Sequence, residues 1–307
     1  MSKNQKPTPE ARDQSTPALG RFDLYTQHSE VTYFDSKPIE YDLFEPNVVT
    51  DEVPILINNG YCAPAMVYDA MAIGLAQNGR RAIRYHPPRN VSLSRRVLGG
   101  HIQNPLKKHA QAGWAVMKHA QTKYGFGRFD VLGHSMGTPV SLMLAVEKHQ
   151  HVRSVMCTGG AGLDGAGGLL SMATKAVSLL RNEVLVELDK ISTMGGRTEI
   201  ARAVANHILS HPADTLAEGF YVSRANAKKD LEKAHSAGIR LGAMLFENDS
   251  FFDSRAVLQH VGDLFDFTAV IEGAKHIHPQ LYPLEHAEQQ VVAFATLNRE
   301  APSLHVA

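Results

Sequence analysis

The sequence predicts an α/β protein, a mainly parallel central sheet flanked by helices, with a helical lid inserted late in the chain. Three observations predict it. Short apolar runs alternate with helix-period stretches between about residues 54 and 158, the pattern of strands joined by crossover helices. Gly133-His134-Ser135-Met136-Gly137 joins one such run directly to the next helix. The alternation then breaks over residues 162–235 and resumes at Leu241.

The elements follow in order. Phe22–Tyr25, Val31–Phe34 and Ile39–Phe44 read as an antiparallel lead-in with Asp, Ser and Pro at its turns. Pro54–Asn58 is apolar at successive positions, as a strand buried on both faces is. A helix follows Asn59-Gly60-Tyr61, with Val67, Ala70, Met71, Gly74 and Leu75 on one stripe and Asn78-Gly79 as its stop. Arg81–Tyr85 is the next strand, Asn104–Lys123 a helix, Phe129–Leu132 the strand before the glycine turn, and Val152–Thr158 another strand. After the insertion come strands at Leu241–Phe246 and Phe267–Ile271. A final helix spans Leu284–Leu297 with Leu284, Ala287, Val291 and Phe294 or Ala295 on one face.

The domain organisation expected is a disordered arm at 1–20, a core formed by 21–161 and 236–307, and a helical lid at 162–235. The arm is polar, carries three prolines and lacks an apolar signal region, so neither a signal peptide nor a membrane span is expected. The chain of 307 residues is long enough for a large core. Its 31 basic and 31 acidic residues balance, which removes the electrostatic case for nucleic acid or an anionic membrane. The two cysteines, Cys62 and Cys157, sit beside apolar runs and read as reduced core residues, which suggests the cytoplasm.

Gly-x-Ser-x-Gly between strand and helix is a nucleophile elbow. A serine hydroxyl is a weak nucleophile, so Ser135 needs a sharp turn that exposes it to a base. The chain order expected with this elbow is Ser, then acid, then His. Asp249 lies on the loop after Phe246, with Glu247, Asp253 and Asp164 as rival acids. His276 lies after Ile271, with His278 as its rival. Backbone N–H groups of Met136 and Tyr61, with Cys62 next in line, are the expected oxyanion donors. His134, Cys62 and Leu163 are weaker candidates for substrate contact.

On these residues the chain resembles the lid-bearing branch of the α/β-hydrolase superfamily over about residues 35–298. The resemblance rests on the Gly-His-Ser-Met-Gly elbow, the Asn-Gly-Tyr loop, the Asp249 loop, and Ala-Lys-His276 with Pro283 before the last helix. The chain departs from the family in carrying Asn59-Gly60 for His-Gly, Phe246 for the glycine before the acid, and Tyr85-His86-Pro87-Pro88-Arg89-Asn90 for Asp-x-x-Gly-x-Gly. A Ser rather than Asp nucleophile argues against the dehalogenase and epoxide-hydrolase branches.

The expected function is a cofactor-free and metal-free serine hydrolase that cleaves a small carboxylic ester through an acyl-enzyme. Thioesterase, lactonase and acyltransferase chemistry would use the same triad, and a homo-oligomer is left open. In the lid, Leu169, Leu170, Met172, Val177, Leu179 and Leu180 offer an apolar acyl pocket. Two readings from other classes compete. One is a ligand-binding scaffold with an unused triad. The other is a dinucleotide site, because Gly160-Ala161-Gly162-Leu163-Asp164-Gly165 matches Gly-x-Gly-x-x-Gly after a strand, with Val184–Leu188 as the next strand and Glu187 or Asp189 for a ribose. Against a metal, the pairs His276/His278 and His149/His151, with His86, fall short of a tetrahedral set.

Overall fold

The computed structural model describes residues 24–299, leaving out 62, 64, 88–103, 166–205 and 207–208. Eight strands form one sheet in the order β1-β2-β4-β3-β5-β6-β7-β8. They are β1 (Tyr25–Phe34), β2 (Lys37–Pro46), β3 (Asp51–Asn58), β4 (Arg80–Tyr85), β5 (Phe129–His134), β6 (Val152–Thr158), β7 (Arg240–Phe246) and β8 (Phe267–Ile271). The pairs β1–β2 and β2–β4 are antiparallel and the rest are parallel.

The lead-in differs from the sequence reading. Two long strands replace three short ones, and Phe22 lies outside the described residues. The polar run Thr26–Glu30 looked like a gap between strands. It belongs to β1, whose residues are all at least partly exposed on the sheet's edge, so it needs no apolar alternation. Asp35 and Ser36, at φ +53° and +60°, make the two-residue turn that the right-handed twist of a hairpin favours.

The helices are α1 (Asp69–Gln77), α2 (Pro105–Tyr124), α3 (Gly137–Glu147), α4 (Pro212–Val222), α5 (Ala227–Ser236), α6 (Ser254–Val261), α7 (His278–Leu281) and α8 (Pro283–Leu297). A 3₁₀ turn, Ala65–Tyr68, leads into α1. The longest of the described helices, α2, has both ends specified locally. The Asn104 side chain accepts from Leu106 N, Pro105 occupies the first turn, and Gly125 takes the left-handed conformation at φ +76°. Its buried stripe includes Leu106, Ala110, Val116, Met117 and Ala120.

Two apolar layers sandwich the sheet. On one face Leu56, Val131 and Val155 join Leu106, Val116, Val140 and Leu231. On the other Ile55, Ile57 and Leu132 join Met71, Leu75, Ala287 and Phe294. Residues of β3 therefore serve both layers, which is why its run is continuously apolar; each such side chain contributes about 1.5–3 kcal/mol on burial. Helix α5 packs Ala227, Leu231 and Ala234 into the first layer. The six apolar residues named above for an acyl pocket lie outside the described residues, as does Val184–Leu188. Among the described residues no helix is long and apolar enough to cross a membrane.

The order β4-β3-β5 reverses the direction of travel along the sheet, so connections leave β3 and β5 to opposite sides. The crevice beyond the C-terminal ends of these strands is where open α/β sheets bind ligands. Asn58 and Gly133 are paired across it.

Candidate active site

The elbow is built by close backbone approach. A Cβ on Gly133 would collide with the Gly137 carbonyl, and one on Gly137 with the Asn58 carbonyl. Both positions therefore need glycine. Between them Ser135 is held at φ +53°, a left-handed conformation that costs a non-glycine residue of order 1–3 kcal/mol. Ser135 N donates to Thr158 O (2.9 Å), and Ser135 O accepts from Thr138 N (3.0 Å) and Ala161 N (3.1 Å). These bonds offset the strain and pin the turn to β6.

Loops after β7 and β8 converge on it. His276 Nε2 lies 3.0 Å from Ser135 Oγ, and His276 Nδ1 lies 3.0 Å from Asp249 Oδ2. The other carboxylate oxygen, Oδ1, accepts from Phe251 N (2.7 Å) and Phe252 N (2.9 Å). An ionised carboxylate can only accept, so Nδ1 carries the imidazole proton and Nε2 is left to accept from the serine hydroxyl. Ser135 and His276 are both buried. The rings of Phe251 and Phe252 stand 5.2 and 5.4 Å from the His276 ring, which keeps the hydrogen-bonded row in a low-dielectric setting.

The rival residues are engaged elsewhere. Glu247 accepts from Gly273 N (2.8 Å), and Asp253 caps α6 through Arg255 N (2.9 Å). Asp164 is half-buried in the turns after β6. His278 packs against Tyr282, Phe246 and His286, and burial holds its pKa below the usual value.

Met136 is buried at the start of α3. Tyr61 is half-buried, and its hydroxyl donates to Thr215 O (2.8 Å), which ties the loop after β3 to α4. Gly60 N donates instead to Tyr68 Oη (2.8 Å). Cys62 lies outside the described residues. Leu163 is fully buried in the first apolar layer, and His134 is buried beside Tyr68, Gln280 and His276.

The segment Gly160–Gly165 runs as turns and bends. Gly162 and Gly165 have φ +75° and +67°, and Gly162 O accepts from Ala227 N of α5 (3.2 Å). The helical pattern after it lies outside the described residues.

Sequence reasoning missed Tyr68, Gln280, Thr215 and the pair Phe251-Phe252. The two phenylalanines directly after Asp249-Ser250 were a visible signal, since adjacent aromatics on a polar loop have little reason to be there unless they cover something. Tyr68 and Gln280 carried no such mark.

No protein-family model and no curated protein matches the chain. Solved structures do. A bromoperoxidase from Bacillus anthracis is 14% identical with a TM-score of 0.62, covering 87% of this chain and 100% of its own. A proline iminopeptidase from Mycobacterium smegmatis is 18% identical with a TM-score of 0.61, covering 88% and 97%. A thermophilic esterase from Thermogutta terrifontis is 13% identical with a TM-score of 0.59, covering 89% and 100%. At such low identity the likeness speaks to architecture, and it agrees with the strand order, the elbow and the flanking helices: the chain carries the fold of the α/β-hydrolase superfamily.

Proposed function

We propose that the protein is a serine hydrolase that cleaves a carboxylic ester through an acyl-enzyme. Ser135 Oγ attacks the carbonyl carbon while His276 Nε2 takes its proton. Asp249 holds the imidazole in the right tautomer and stabilises the imidazolium that forms. The N–H groups of Met136 and Tyr61 stabilise the oxyanion, a contribution of roughly 3–4 kcal/mol for one well-aimed donor. The tetrahedral adduct collapses, the leaving alcohol takes the proton from His276, and water then releases the acid by the same route in reverse.

The observation that carries the reading is the unbroken row Ser135 Oγ, His276 Nε2, His276 Nδ1, Asp249 Oδ2, with both links at 3.0 Å. An unused serine in a strained turn would have no reason to sit in line with a tautomer-locked base. The esterase among the structural neighbours supports the choice of an ester. Helix α4, joined to Tyr61 through Thr215, supports a covering role for α4 over this loop.

A fluorophosphonate probe tests the proposal because it reacts with activated serines whatever the substrate. Wild-type protein is expected to label, and Ser135→Ala to lose labelling while keeping its thermal midpoint. Equal labelling of the two would remove Ser135 from the role. Hydrolysis rates over p-nitrophenyl esters of increasing chain length, beside thioesters and lactones, then define the bond cleaved.

A further inference from the structure

The residue before the nucleophile joins three parts of the site through one buried ring. His134 Nε2 lies 3.1 Å from the backbone carbonyl of His276, and a carbonyl can only accept, so Nε2 carries the proton. Burial, reinforced by the nearby His276, holds the His134 pKa well below its usual value, so the ring is neutral and Nδ1 must accept. Facing Nδ1 are Tyr68 Oη at 2.8 Å and Gln280 Nε2 at 3.1 Å. Tyr68 Oη in turn accepts from Gly60 N at 2.8 Å and from Gln280 Nε2 at 3.3 Å. Every proton then has a direction. Gly60 N–H donates to Tyr68, Tyr68 O–H to His134 Nδ1, and His134 Nε2–H to the His276 carbonyl.

Resting on the hydrolase reading, we infer that His134, Tyr68 and Gln280 form a brace that positions the reacting groups: His134 fixes the backbone of His276 against Ser135, and Tyr68 fixes the loop that presents the oxyanion donor. None of the three touches the reacting atoms; they act through His276 and Gly60. The brace spans four places in the chain, the loop after β3, the 3₁₀ turn before α1, the end of β5 and the segment from His276 into α7. It also consumes the Gly60 N–H, so the donor role passes to the next residue, Tyr61. Space is tight enough to demand this arrangement. A Cβ on Gly60 would lie 2.9 Å from Tyr68 Oη and 3.1 Å from His134 Nδ1. Catalytic geometry tolerates little looseness, since displacement by about 1 Å costs on the order of 100-fold in rate.

Fluorophosphonate labelling of the full-length protein tests the brace without knowledge of the substrate, with inactivation rate and probe affinity measured separately. His134→Met keeps length and bulk but cannot donate; His134→Gln restores an N–H near the position of Nε2. His134→Met is expected to slow inactivation about 10- to 100-fold with probe affinity unchanged. His134→Gln is expected to recover most of that loss. Tyr68→Phe, which deletes one oxygen, is expected to slow inactivation by a comparable factor and keeps the test alive if His134→Met fails to fold. Wild-type rates in Tyr68→Phe, or equal impairment of folded His134→Met and His134→Gln, would overturn the positioning role and leave the hydrolase reading standing. Absence of labelling in wild type would overturn the hydrolase reading and the brace with it.

Discussion

At the N-terminal ends of β3 to β6 the sheet buries charge, and at the C-terminal ends of the same strands it buries mostly neutral polarity. Asp130, fully buried, pairs with Arg80 at 2.7 Å and with Arg153, while Asp51 pairs with Arg153 and lies 3.5 Å from Arg80. Ser154 Oγ donates to Asp130 as well, and the Arg80 guanidinium lies 5.5 Å from the Phe294 ring centre. Two carboxylates meet two guanidiniums, so opposite charges are matched within the cluster. At the other end stand His134, His276, His286, Tyr68, Gln280 and Gln290, with Asp249 facing His276. One edge is neutralised by opposite charge and stays fixed. The other, in the proposed reaction, lets one proton pass from Ser135 to His276.

The sharpest way to break this contrast is to remove the negative charge from each edge in turn. Asp249→Asn is expected to lower turnover or labelling by roughly 10⁴-fold, because the amide favours the wrong tautomer of His276, with little change in thermal midpoint. Asp130→Ala is expected to do the opposite. It leaves Arg80 and Arg153 without their shared buried partner, so stability falls by about 3–5 kcal/mol in urea denaturation, while the rate per folded molecule stays near wild type. If Asp249→Asn melted the protein, or Asp130→Ala lost rate without losing stability, the division of labour between the edges would be wrong.

The two edges also differ in how legible they were. Ser135, His276 and Asp249 were readable because each has a local signature, a glycine turn or a loop directly after a strand, and because their order in the chain is fixed by the sheet. The parallel strands were readable for the same reason, as Ile55-Leu56-Ile57 carries its burial in its own composition. Arg80 and Asp130 were not, since charged residues at strand starts look solvated until register brings Asp51, Arg80, Asp130 and Arg153 together across four strands. Tyr68 and Gln280, 212 positions apart, meet only through tertiary structure. The hairpin β1–β2 was misread for a third reason. An edge strand with much of its surface exposed has no need of the apolar alternation on which strand assignment depends.

Acid should separate the edges most finely. His286 is fully buried, and burial, with His278 nearby, pushes its pKa down to about 3; Gln290 Nε2 lies 3.0 Å from its Nε2. An unfolded histidine titrates near 6.5. Between those two values the unfolded chain binds a proton that the native imidazole refuses, so stability rises with pH across this window and is lost as pH falls below about 6.5. At the N-terminal edge, burial raises the Asp51 carboxyl, but Arg153, the Val53 N–H and Arg80 together hold it below its usual value of 3.8. Its contribution is present above that value and is lost only as pH falls further. From pH 7 to pH 5, therefore, the loss of stability comes from the histidine edge and not from Asp51. Replacing His286 by Gln is expected to flatten the urea-measured dependence by up to about 1.4 kcal/mol per pH unit in the lower part of that range, whatever the substitution costs at pH 7. An unchanged slope in His286→Gln would mean that this imidazole does not stay neutral in the native protein, and the contrast between a charged and a neutral edge would lose its clearest consequence.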